Sequence, residues 1–184
     1  DLELSKTLVS DAAADADVEF TFTVTLSDTT INGEYGDMTF TDGVAAVKLK
    51  GGESATAEGL PTEITYTITE ADAEGFEQTG KTGDTGTIST MKSEAEFTNT
   101  RETGDLELSK TVVSDAAADK DVEFTFTVTL SDTTISGTYG SMTFSAGVAT
   151  VKLKGGQTAI ATGLPTGITY TITEATAAGF QQTA

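Results

Sequence analysis

In the segment Leu2-Glu3-Leu4-Ser5-Lys6, the alternation that turns Leu2 and Leu4 toward a core sends Lys6 the same way. By the same count Glu70 shares a face with Tyr66 and Ile68, and Asn99 shares one with Ala95 and Phe97. An amine, a carboxylic acid and a carboxamide therefore take inward positions on three separate strands. Singly, each has a plainer reading: a Lys or Glu ending a strand ordinarily turns to solvent, and Asn is an ordinary turn residue. Jointly they ask for a common cause. A buried ammonium or carboxylate must be paired or neutralised, and desolvation lowers a Lys pKa while raising that of Glu. A neutral amine is a nucleophile. Held against the Asn99 carboxamide carbon, Lys6 can attack it while Glu70 hydrogen-bonds the carbonyl oxygen and shuttles protons, expelling ammonia and leaving an intramolecular isopeptide bond.

Composition removes most other chemistry. The 184 residues contain no His, Cys or Trp, so the usual zinc, haem and iron–sulfur ligands are missing, as are Cys nucleophiles and His-based triads. Against 29 Asp and Glu stand 10 Lys and Arg, a formal charge of −19, which repels phosphate backbones and anionic lipid. Neither a nucleic-acid partner nor membrane insertion is expected, and no cofactor or metal. No run is apolar enough to span a bilayer, and the opening DLELSK reads as no secretion leader.

The strands that position these groups repeat. DLELSKTLVSDAAAD from Asp1 recurs as DLELSKTVVSDAAAD from Asp105, and the register holds without a gap: VKLKGG at Val47 matches Val151, and ITYTITEA at Ile64 matches Ile168. The repeating unit is a whole domain, placed at residues 1–101 and 102–184 with a polar linker in Thr100–Gly104 (TRETG). Copy two ends opposite Gly80, so nothing in it matches Lys81 to Gly104, where KSEAEFTNT reads as a strand. It is expected to lack its last strand, through truncation of a longer tandem array or because another chain supplies it.

Period-two patterning dominates, as in Val18, Phe20, Phe22, Val24 and Leu26 alternating with Glu19, Thr21, Thr23 and Thr25. Apart from a short turn in DAAADAD no helix is expected. The fold class is all-β, two tandem Ig-like sandwiches with the second incomplete.

LELSKT, the LKGGESATAEGLPTEITYTITEA run and EFTNT together resemble the Cna-B-type (collagen-adhesin B-type) isopeptide-forming domain of Gram-positive surface adhesins and pilins. The resemblance covers essentially all of copy one. It implies Lys6 bonded to Asn99 with Glu70 as the catalytic acid, and Lys110 and Glu174 in the corresponding places of copy two. Copy two has no equivalent Asn, so Lys110 is expected to stay unreacted unless another molecule brings an acceptor. The implied protein is a structural stalk repeat of a cell-wall-attached adhesin or pilus. Its partners would be neighbouring repeats of the same protein, and host or cell-surface ligands reached through other domains.

Closing a loop of roughly 90 residues, such a bond is worth about 4–5 kcal/mol in the crosslink-entropy model. It would replace the disulfides this chain lacks. Two other readings stand beside it. Thr21, Thr23, Thr25, Thr65, Thr67 and Thr69 could form a glycan- or matrix-binding face, although Thr is simply a good exposed strand residue. Asp11, Asp15 and Asp17, repeated as Asp115, Asp119 and Asp121, could bind calcium, although the Gly turn and bidentate Glu of a calcium loop are missing. An enzyme acting on an external substrate is not expected, since Glu70 would act once, on its own chain.

Overall fold

The Phe20-Thr21-Phe22-Thr23-Val24-Thr25-Leu26 run folds as its alternation requires: Phe20, Phe22, Val24 and Leu26 are buried, Thr21 and Thr25 exposed. A β-branched, hydroxyl-bearing residue at every second position suits the solvated face of a pleated sheet. The computed structural model describes residues 1–183; Ala184, the last residue of the second repeat as read from the sequence, lies outside them. The chain is all-β, its helical pieces among the described residues being short 3₁₀ turns at Ala13–Asp17 and Ala117–Asp121. Two compact units divide it, one comprising Asp1–Ser10 and Ala14–Glu102, the other Asp11–Ala13 and Thr103 onward.

The first unit holds β1 (Leu2–Val9), β2 (Phe20–Leu26), β3 (Gly33–Tyr35), β4 (Met38–Phe40), β5 (Val44–Leu49), β6 (Ser54–Ala57), β7 (Thr65–Glu70), β8 (Phe76–Thr82), β9 (Thr85–Thr87) and β10 (Ser93–Arg101). One sheet runs β6-β1-β10-β8, the other β5-β2-β7-β9, and β3 and β4 form a hairpin. Between the sheets lies a core of Leu2, Leu4, Phe20, Phe22, Ile68 and Phe97 among others. The first and last strands are parallel neighbours, Leu2 beside Ser93 through Val9 beside Thr100, whereas β6 pairs antiparallel with Leu2 to Ser5 only.

The second unit holds β11 (Thr103–Ser109), β12 (Phe124–Leu130), β13 (Gly137–Tyr139), β14 (Met142–Phe144), β15 (Val148–Leu153), β16 (Thr158–Pro165) and β17 (Tyr170–Glu174). Its sheets are β11-β16 and β15-β12-β17, with β13 and β14 as a hairpin. Among the described residues there is no counterpart of β8, β9 or β10. The effect on β11 is direct: it ends at Ser109, its last residue paired with β16, while β1 continues to Val9 on the hydrogen bonds of β10. Val113 is accordingly 95% exposed against 52% for the equivalent Val9, and Tyr170 57% against 5% for Tyr66.

The linker expected at Thr100–Gly104 is shorter in the structure. Thr100 and Arg101 still pair with β8, and Thr103 and Gly104 already pair with β16, so Glu102 alone separates the strands. Polar residues that would suit a free linker are held by ladder hydrogen bonds.

Candidate functional site

Lys6 stands where β1 leaves its β6 partner. Its backbone N–H donates to the Glu53 carbonyl at 2.9 Å and its carbonyl accepts from the Gly52 N–H at 2.8 Å. Its side chain turns inward, 1% of the residue being exposed, and Nζ lies 4.1 Å from the Phe20 ring centre and 5.8 Å from that of Phe22. Aromatic faces stabilise a cation but replace little of its lost hydration.

Glu70 ends β7 in the opposite sheet, paired with Phe22. Its carboxylate receives Lys6 Nζ on Oε1 at 2.7 Å, with side-chain exposures of 0% for Lys6 and 2% for Glu70. Burial pushes the Lys6 amine below its ordinary value of 10.5, and the hydrogen bond and charge of Glu70 oppose that shift. An amine held on a carboxylate among aromatic rings can pass its proton across and become a nucleophile.

Asn99 lies on β10, next to β1 and facing the same core as Ala95 and Phe97; it is 3% exposed. In the register, Lys6 is opposite Phe97 and Leu8 opposite Asn99, so Asn99 is one same-face step along from Lys6. Strand spacing and rise put their Cα atoms roughly 8 Å apart, within the combined reach of the two side chains. The Asn99 Oδ1 is buried without a hydrogen-bond partner. Leaving a buried carbonyl so costs about 1–3 kcal/mol.

The structure thus joins Lys6 to Glu70 directly and brings Asn99 to the adjoining strand. It differs from the sequence reading in one contact: Glu70 does not hydrogen-bond the Asn99 carbonyl. Its second oxygen, Oε2, instead accepts from Gln78 Nε2 at 2.7 Å. Gln78, on β8, is not legible in the sequence because that strand carries no apolar alternation and is mostly exposed. Its only sequence signal is Gln182 at the matching place of copy two.

The second unit forms the same ion pair with no counterpart of β10 among the described residues. Lys110 Nζ is 2.5 Å from Glu174 Oε1 and 4.2 Å from the Phe124 ring centre, and its backbone bonds to Gln157 and Gly156 repeat those of Lys6. Side-chain exposures rise to 15% and 11%. The pair is built by the first strand and the strand ending in Glu; the last strand adds burial and the carboxamide.

The acidic stretch disperses. Asp15 is buried, accepts from Ser10 Oγ at 2.5 Å and lies 3.7 Å from Arg101 Nε, while Asp17 pairs with Lys50 at 2.9 Å. Among the described residues no three His, Cys, Asp or Glu side chains are grouped to hold a metal. The threonines form an outward ladder, Thr23 opposite Thr69 and Thr25 opposite Thr67, with Thr65 opposite Thr87. Among the described residues no helix is long and apolar enough to cross a membrane.

Comparison with known proteins adds relatives. An alignment of 83 positions that covers 41% of this chain is 42% identical to the pilus tip adhesin Cpa of Streptococcus pyogenes and spans 12% of that protein's length. Among solved structures, the T-13 major pilin of Streptococcus pyogenes superposes with a TM-score of 0.57 at 20% identity, over 98% of this chain and 83% of the pilin. A second Streptococcus pyogenes major pilin gives 0.55 at 18% identity, over 95% and 81%. These pilins share the fold. The family described as "Domain of unknown function (DUF7601)" matches residues 1–101 and again 104–184, so the chain belongs to that family and carries its domain twice.

Proposed function

We propose that the chain is a structural stalk segment of a bacterial surface adhesin or pilus, of Cna-B type, whose first unit crosslinks itself through Lys6 and Asn99. The observation that carries the reading is the buried set itself: an amine and a carboxylate at 0% and 2% exposure, beside a carboxamide whose carbonyl has no partner. A stable core does not ordinarily keep such a combination unused. Lys6 passes a proton to Glu70, and the neutral Nζ attacks Asn99 Cγ. The new C–N bond forms as the bond to Nδ2 breaks; Nδ2 leaves as ammonia, and the proton held by Glu70 departs with it as ammonium. Amine plus amide gives amide plus ammonia, with no oxidant or cofactor, and Glu70 ends as it began.

The reaction happens once per molecule, so the protein modifies itself and is no enzyme toward other substrates. Lys110 and Glu174 form the same couple, with no acceptor beside them among the described residues. Likeness in sequence to a pilus tip adhesin and in fold to major pilins supports a place outside the cell, attached to the wall, with neighbouring repeats as partners and host ligands met by other domains. Intact-mass measurement tests the reading. The purified chain should weigh one ammonia less than its sequence, and Glu70→Ala should weigh its full sequence mass. A native chain at full mass would overturn the crosslink.

A further inference from the structure

Gln78 has no part in the chemistry just described, yet its side chain reaches the group on which that chemistry depends. We propose that Gln78 is a positioning residue for the crosslink, fixing the Glu70 carboxylate so that one oxygen stays on the Lys6 amine. The inference rests on the reaction proposed above.

Three observations support it. The Glu70 carboxylate is held at both ends, Lys6 Nζ on Oε1 and Gln78 Nε2 on Oε2, each at 2.7 Å. An acceptor-only group with a donor on each oxygen cannot turn about its last bond without losing one of them. The amide orientation is set too, since the opposite flip would put two oxygens in contact.

The second observation is a bulge. β8 and β10 run in register from Glu96 opposite Thr82 to Thr98 opposite Gly80, and then the pairing shifts so that Asn99 faces Gln78. Without that shift Thr79 would stand opposite Asn99. Directly opposed residues point to the same face of a sheet, so the extra residue turns Gln78 toward the side that Asn99 and Glu70 share, and sends Thr79 outward to the Thr100 hydroxyl at 2.9 Å. Bulges commonly re-aim a side chain beside a functional group.

The third is an internal comparison. In the second unit the Lys110–Glu174 pair forms, but Gln182 lies outside any strand, whereas its counterpart Gln78, equally exposed, is set in β8 and bonded to the carboxylate. Contact between carboxylate and amine thus does not need this glutamine, and what Gln78 adds is orientation.

The test follows mass against time in chain made by cell-free synthesis. Gln78→Met keeps the length and removes the donor; it should lose ammonia about tenfold more slowly than the native chain, the worth of about one hydrogen bond. Gln78→Arg, which restores a planar N–H donor, should recover most of the rate. In an Asn99→Ala background, where no bond forms, Gln78→Met should melt as its parent does. If Gln78→Met matures at the native rate while Glu70→Ala stays at full mass, the crosslink stands and the role of Gln78 falls. If Gln78→Met is slow but Gln78→Arg is equally slow and the Asn99→Ala background melts lower, Gln78 is a fold residue and the proposal is overturned. If the native chain never loses ammonia, the reaction itself fails and Gln78 has nothing to position.

Discussion

Lys6 is the residue on which the electrostatics of the first unit turn. Desolvation is the largest influence on its amine, and the Glu70 carboxylate only partly offsets it, so its folded pKa lies below 10.5. The sign for stability follows. Between the folded pKa and 10.5 the unfolded chain binds more protons than the folded one, so stability rises with pH across that window. In an Asn99→Ala chain, which keeps Lys6 titratable, urea unfolding of the first unit should therefore improve against Asn99→Ala/Lys6→Met as pH is raised from neutral toward 10.5. A difference that stays flat or falls would contradict the assigned cause. The inward facing of Lys6, Glu70 and Asn99 was legible in the sequence because parity along a strand is local: two buried neighbours fix the side of the third residue. Gln78 was not, because its aim depends on a bulge between two strands and its own strand is an exposed edge.

At the scale of elements, nearly identical sequences take different lengths of strand. LELSKTLV is extended throughout as β1, whereas the matching LELSKTVV of copy two leaves its strand ladder at Ser109 with Lys110 still bonded to Gln157 and Gly156, since what pairs Thr7 to Val9 is β10. The existence of β1, β2, β5 and β7 was readable from alternation; strand length was not, because it is set by the neighbour. The same holds at Glu102, where ladders on both sides consume the expected linker. Strands β8 and β9 join the two sheets through a corner at Gly83, with φ of +64°. A Cβ there would meet the Glu94 carbonyl oxygen of β10 at 2.0 Å, against backbone that cannot swing aside. Gly83→Ala should cost about 1–3 kcal/mol through strain and displacement of β10, measured by denaturant unfolding in the Asn99→Ala background. The native maturation rate in the otherwise unaltered chain should fall with it. An unchanged unfolding midpoint would show that the corner gives way more easily than its contacts indicate.

For the whole molecule, the parallel pairing of first and last strands decides how force passes. Pulling on the start of β1 and the end of β10 shears the two strands along their length, since parallel neighbours then move in opposite directions. The bond proposed between residues 6 and 99 would carry that load covalently, leaving only the chain outside those two positions to extend. In single-molecule stretching the first unit should give no unfolding step, and Asn99→Ala should restore one corresponding to most of the unit. In calorimetry, Asn99→Ala should lower the transition of the first unit by about 20 °C, from a loss of about 4–5 kcal/mol, and leave that of the second unchanged. Equal shifts in both would point to a cause other than the crosslink. The repeat and the all-β architecture were open to reading from the sequence, since self-comparison and period-two alternation need no structure. The order of strands within each sheet came only from long-range pairing. Peptide mapping of the native protein by tandem mass spectrometry is the most direct measurement. We expect a branched peptide in which the chain around Lys6 is joined to the chain around Asn99, one ammonia lighter than the two pieces summed. Recovery of those peptides unlinked and at full mass would contradict the account.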